Sequence, residues 1–237
     1  MKVESFGDQA VRVIFGDRIA PSVQFQINQF LILFDRSPFH GFIEYVPAYT
    51  NVVFYYNPLD VICGGRKDRS AQRQVMDYLE DLLKRLDINL ENEGKRRVIH
   101  IPVCYGGEFG PDLNEVAALH HLTCDEVIAK HSSPQYLVYM LGFAPGFPFL
   151  GGLPEELATP RRATPRLRIA AGSVGIAGKQ TGAYPLDSPG GWQIIGRTPI
   201  PLFTPKMNPP TLLAAGDLVK FDPITEREYV QLKEGHS

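Results

Sequence analysis

Apolar positions recur along this chain at two periods, and the period changes with place. Gln9 to Phe15 (QAVRVIF) is apolar apart from an outward Arg12, which predicts a strand. Pro21 then opens a stretch in which Val23, Ile27, Phe30, Leu31 and Phe34 return at helical spacing; proline suits the first helical turn, where its missing N–H has no partner to lose. Phe42 to Tyr56 (FIEYVPAYTNVVFYY) holds two β-rich runs joined near Pro47–Asn51, a hairpin pattern. Asp68 to Asp87 predicts the clearest helix: Val75, Leu79, Leu82, Leu83 and Leu86 share one face and charge fills the other. Asn92 to Arg96 is polar and loop-like, and Arg97 to Tyr105 returns to strand. This βαββαβ order predicts a ferredoxin-like α+β domain over residues 1–105.

Two short helices follow. Pro111 to His120 carries acidic residues near its amino end, which suit the helix dipole. Thr123 to Lys130 has Glu126 three residues after Thr123, a capping-box pattern. Composition shifts at Ser132–Pro134. Beyond it, β-rich runs (YLVYMLGF, RLRIAAGSVGIAG, WQIIGRTP, DLVKFDPI) alternate with Gly/Pro turns, and no helix is expected after Glu156. Closely spaced strands of this kind predict a mainly-β barrel or sandwich, so residues 106–237 read as a β-domain entered through two short helices.

Composition narrows the function classes. Hydrophobic residues at 44% and charged residues at 21% describe a globular chain rather than a disordered one. A formal net charge of -2 leaves no electrostatic footprint for nucleic acid or an anionic membrane. No apolar run approaches the ~20 residues of a membrane span, and MKVESFGDQAVRVIFG lacks a signal-peptide pattern. Cys63, Cys104 and Cys124 are odd in number and far apart, so neither a disulfide framework nor a zinc site is indicated. A cytoplasmic location and no metal are the expectations.

The densest chemistry lies between Tyr136 and Phe203. Glycines, prolines, arginines and the rings of Phe143, Phe147, Phe149, Tyr184 and Trp192 crowd into short phrases, as in the wall of a shaped pocket. The only tryptophan, Trp192, reads either as core or as a rigid pocket face. Arg161, Arg162, Arg166, Arg168 and Arg197 lie in or beside these phrases. A guanidinium can clamp a carboxylate through two parallel bonds, and an exposed arginine can equally guard a strand edge. Arg162, Arg166 and Arg197 are the candidate clamps because each abuts a turn. Gln180, Thr181, Ser188 and the amides near Gly190–Gly191 are the polar groups best placed to orient a ligand.

Gly172 to Gly182 (GSVGIAGKQTG) is not a phosphate loop: Gln180 stands where the magnesium-binding hydroxyl is needed and no helix follows, so a hairpin is predicted. His131 reads either as a general acid or base near neutral pH or as a helix-end histidine on terminal carbonyls. Ser173 lies outside any nucleophile-elbow pattern.

The phrases GFAPGFPFLGGL (142–153), PRRATPR (160–166), AGSVGIAGKQTGAYP (171–185) and SPGGWQIIGRTP (188–199) resemble the signature of the family of 5-oxoprolinase B subunits. FGDQAVRVIFGD, YVPAYTNVVFYYNPL and IPVCYGGEFGPDL extend the resemblance over nearly the whole chain. The family includes the sporulation-kinase inhibitor KipI and the first subunit of allophanate hydrolase, a carboxyltransferase-type domain. The resemblance implies a cyclophilin-like carboxy-terminal barrel, partnership with the C and A subunits of 5-oxoprolinase, and ATP-dependent conversion of 5-oxoproline to glutamate by the complex, ATP not binding this chain alone. It carries no catalytic residue. The matched pocket positions are Phe143, Phe147, Phe149, Arg162, Arg166, Gln180, Thr181, Tyr184, Trp192 and Arg197. A KipI-type protein that binds a histidine kinase is the alternative.

Overall fold

A computed structural model describes residues 1–66, 68–86 and 96–235. The chain divides into two units, Met1–Gly94 and Lys95–Ser237. The polar segment expected as a loop at Asn92–Arg96 lies, up to residue 95, outside the described residues.

In the first unit β1 (Lys2–Ser5), β2 (Ala10–Ile14), β3 (Phe42–Pro47) and β4 (Asn51–Tyr56) form an antiparallel sheet in the order β1-β2-β4-β3. Helices α1 (Pro21–Asp35), α2 (Pro58–Gly64) and α3 (Ala71–Lys84) complete it. The apolar positions read from the sequence are the ones that pack. Phe30 and Phe34 of α1, Leu79 of α3 and Val13, Val52 and Phe54 of the sheet are all fully buried. Proline begins α1, and Ser70 caps α3 by accepting the Arg73 N–H.

The order of described elements here is ββαββαα, not the βαββαβ expected. Val98–Tyr105, expected as the last strand of this domain, is instead β5 of the second unit. Its partner is remote in sequence: Lys220 sits opposite His100 in a parallel pairing.

The second unit is a closed seven-stranded barrel. Besides β5 it contains β6 (Tyr136–Leu141), β7 (Pro148–Gly151), β9 (Ser173–Ala177), β10 (Gln180–Ala183), β12 (Gln193–Arg197) and β13 (Leu218–Ile224), in the order β10-β7-β6-β13-β5-β12-β9. Antiparallel pairing of β9 with β10 closes the ring. Alternate residues point inward, and Ile101, Val103, Val138, Val174, Ile176, Val219 and Phe221 fill the interior. A separate ribbon, β8 (Arg166–Ile169) with β11 (Ser188–Gly190), stands outside the barrel sheet.

Helices α4 (Leu113–Leu119) and α5 (Cys124–Ser132) close against this core through Leu113, Val116, Ala117 and Val127. Thr123 and Glu126 form the predicted reciprocal cap of α5. A helix not expected from the sequence, α6 (Glu226–Glu234), opens with the same device, Thr225 and Glu228. Its Tyr229 packs on Phe109 with ring centroids 4.6 Å apart.

Candidate functional site

The β6–β7 connection is tight. Gly142 N–H donates to the Phe147 carbonyl at 3.1 Å, and Phe147 N–H to the Ala144 carbonyl at 3.0 Å. Between them Phe143 adopts φ +67°, a left-handed conformation that costs a bulky residue of order 1–3 kcal/mol. That conformation leaves its ring 68% exposed, 5.5 Å from the buried ring of Phe147. Phe147 is the hub of an edge-to-face cluster with Phe149 at 5.1 Å, Tyr184 at 5.3 Å and Trp192 at 5.4 Å. The five rings predicted as a wall therefore come together. With Arg161, Pro189, Gly190 and Gly191 they line a pocket of about 140 Å³. Trp192 satisfies both sequence readings: it is 5% exposed and it lines the pocket.

The Tyr184 hydroxyl accepts a hydrogen bond from the Trp192 backbone, and burial pushes its pKa up to about 12, with Arg161 opposing that shift. It stays protonated at neutral pH. Gly190 permits this placement, because a Cβ there would lie 2.5 Å from the Tyr184 hydroxyl and 2.8 Å from Ile169 Cδ1. Gly190→Ala is expected to displace Tyr184 at a cost of about 1–3 kcal/mol. Near-ultraviolet circular dichroism of Trp192 checks this; an unchanged spectrum and unfolding midpoint would contradict it.

Arg162 and Arg166, expected as substrate clamps, are committed elsewhere. Both reach Asp112, which is 2% exposed. Arg166 donates through Nη1 at 2.8 Å and Nη2 at 2.7 Å, a two-point fork, and Arg162 Nη1 donates at 2.8 Å. The Ile194 N–H completes the set at 2.6 Å. Every lone-pair direction of the carboxylate is used, so these two guanidiniums are tethers of the Pro160–Arg166 segment. Arg162 N–H also donates to the Gly191 carbonyl at 2.8 Å, tying that segment to the pocket wall.

Arg197 is likewise absent from the aromatic pocket. Its guanidinium lies 5.8 Å from the Phe109 ring centroid, and it lines a separate cavity of about 310 Å³ with Arg166, Arg168, Ser173 and Asp187. Gln180 begins β10 opposite Ala177 and does not line the aromatic pocket.

Thr181 points into the barrel, where it meets His131. The Thr181 hydroxyl donates to the Gly175 carbonyl at 3.1 Å, so it accepts from His131 Nε2–H at 2.8 Å. That order leaves Nδ1 to accept the Tyr105 hydroxyl at 2.8 Å. His131 is fully buried and stacks on Phe221 at 4.9 Å. Burial lowers its pKa from 6.5 to about 3. It is therefore neither a base near neutral pH nor a helix-end histidine on terminal carbonyls. It is a neutral strut between β5, α5 and β10.

Gly172–Gly182 is the predicted hairpin. Gln180 pairs with Ala177, Gly178 turns at φ +57°, and Lys179 is held by Glu155 at 2.8 Å. The residue that sequence reasoning missed at the pocket is Arg161. It sat in the same phrase as Arg162, and no local signal separates their directions.

Residues 1–213 match the carboxyltransferase domain family, subdomains C and D. The chain is 47% identical over 238 residues to the 5-oxoprolinase B subunit of Bacillus subtilis (strain 168), covering 98% of this chain and 97% of that protein. It is 54% identical over 149 residues to the protein of the same name from Haemophilus influenzae, covering 63% and 68% of the two chains. The solved structure of TTHA0988 superposes with a TM-score of 0.77 at 35% identity, over 91% of this chain and 40% of that one.

Proposed function

The chain belongs to the carboxyltransferase-domain family, in the branch of the 5-oxoprolinase B subunits, and on that premise we propose that it serves as the B subunit of an ATP-dependent 5-oxoprolinase. The complex opens the lactam of 5-oxoproline to glutamate, with C and A subunits as partners. The observation that carries this reading is the 47% identity to a B subunit over essentially the full length of both chains. TTHA0988, of which this chain spans 40%, carries further polypeptide beyond the matched part, which supports a domain that works joined to another.

The segment most like a phosphate loop, Gly172–Gly182, does not fit a nucleotide. The glycine-rich segment that holds a lysine is a closed hairpin whose Lys179 is already ion-paired. We assign ATP to the assembled complex rather than to this chain alone. What this chain offers is the aromatic pocket and the donors around it, and opening an amide requires oriented donors for the charge that develops on its oxygen. The KipI-type alternative is not favoured, because the curated relatives bear the name of the enzyme subunit.

Co-purification with a candidate C subunit, followed by an assay of glutamate release, tests the reading. The chain alone is expected to be inactive on 5-oxoproline with ATP, and the assembled complex active. Turnover by the isolated chain would contradict it.

A further inference from the structure

Three properties of the aromatic pocket define what it can hold. The first is size. Its volume of about 140 Å³ is close to the ~150 Å³ that holds a benzene-sized molecule, and well below the ~300 Å³ where pockets for larger ligands begin. It takes one ring.

The second is shape and polarity. Phe143, Phe147, Phe149 and Trp192 supply apolar walls for the faces of a compact ring. The third is the sign of its polar groups. The lining residues with polar side chains are Arg161, Tyr184 and Trp192, and the Arg161 charge acts on the Tyr184 hydroxyl. No lining side chain is a carboxylate or a carboxamide. The Tyr184 oxygen already accepts a backbone hydrogen bond, which leaves its proton to donate, and the Gly191 carbonyl is taken by Arg162 N–H. The side chains of the pocket therefore present donors, which suit a ligand rich in acceptors.

A cation would be welcome against aromatic faces alone, but Arg161 repels it. Arg161 is also the uncommitted cation of its segment. Arg162 and Arg166 are tied to Asp112, and Arg168 is paired with Asp187 at 2.6 Å. Among the described residues Arg161 has no ion-pair partner.

We propose that this pocket binds the pyrrolidone ring of 5-oxoproline, with Arg161 holding its carboxylate and the Tyr184 hydroxyl donating to its lactam carbonyl. The proposal rests on the reading of the chain as a 5-oxoprolinase B subunit, which it deepens. Asp112 contributes as a positioning residue: by tethering Arg162 and Arg166 it sets the backbone from which Arg161 projects.

Trp192 is the only tryptophan, so its fluorescence reports on this pocket directly. The full chain is titrated with L-5-oxoproline and, in parallel, with 2-pyrrolidone, which lacks the carboxylate. L-5-oxoproline is expected to give a saturable change. Arg161→Gln is expected to weaken it roughly ten- to a hundredfold, the range for a hydrogen-bonded charge, while leaving 2-pyrrolidone binding unchanged. Arg161→Lys restores part of the affinity, and Arg168→Gln leaves it as in the wild type.

The second measurement is the KM for 5-oxoproline of the assembled complex, which Arg161→Gln should raise by a similar factor with a smaller change in kcat. This reading decides the matter if Trp192 is silent. An active complex whose KM is untouched by Arg161→Gln overturns the pocket assignment and leaves the proposed role in 5-oxoprolinase standing. So does a pocket that takes a proline-bearing peptide and not L-5-oxoproline. A wild-type chain that neither assembles nor supports glutamate release overturns the role in 5-oxoprolinase itself.

Discussion

Asp112→Ala is expected to destabilise the barrel unit by about 3 kcal/mol or more, the lower end of the range for removing one partner from a buried ion pair. The lower end applies because the Arg162 and Arg166 side chains keep 30% and 28% of their exposure and can recover some hydration. Three losses add. Two guanidiniums lose their counter-charge, the Ile194 N–H loses its acceptor, and the Pro160–Arg166 segment loses its tether to the start of α4, whose backbone bond to the Ile194 carbonyl remains. Asp112→Asn keeps the shape but turns an amide NH₂ toward groups that are all donors, so it should recover little. Denaturant unfolding of the full chain measures this. A shift in the barrel transition below about 1 kcal/mol would mean the carboxylate is a surface-grade pair and not a tether.

Lowering the pH should weaken the same unit through His131. Burial depresses its folded pKa to about 3, against an ordinary 6.5. Between those values the unfolded chain binds a proton at this residue that the folded chain refuses. Stability therefore rises with pH across that window. It is fully present above about pH 6.5 and is lost as pH falls toward 3, by up to about 1.4 kcal/mol per pH unit. His131→Gln removes the titration. It costs stability at neutral pH, because the contacts with Tyr105 and Thr181 are disturbed, yet its stability should fall less steeply with acid. The difference in slope between wild type and variant, measured from about pH 4 to pH 6, is the readout. Parallel curves would show that the histidine is already protonated in the fold.

Where the sequence signal was local, it was readable. The Thr123–Glu126 cap, the amphipathic face of α3 and the strand runs of β6, β9, β12 and β13 all lie where spacing and turn residues put them. Two helices carried readable signals that went unused. Asn57–Pro58 opens α2 with a side-chain cap and an early proline, and Thr225–Glu228 opens α6 with the box that identified α5.

What local pattern cannot supply is the partner. Val98–Tyr105 is a strand by any reading, but its place in the barrel depends on pairing with β13 more than a hundred residues away. The site divides along the same line. The five rings were legible because rings in a Gly/Pro-rich phrase have few ways to pack other than against one another. The arginines were not, because a single acidic residue in Gly110–Pro111–Asp112 decides which of them face inward to a carboxylate and which one is left at the pocket.

The most direct test of the account is ATP-dependent glutamate release from 5-oxoproline by three purified subunits, measured with and without this chain. Activity that appears only when the chain is present is the expected result. Equal release after its omission, or release by the chain with no partner added, would contradict the account.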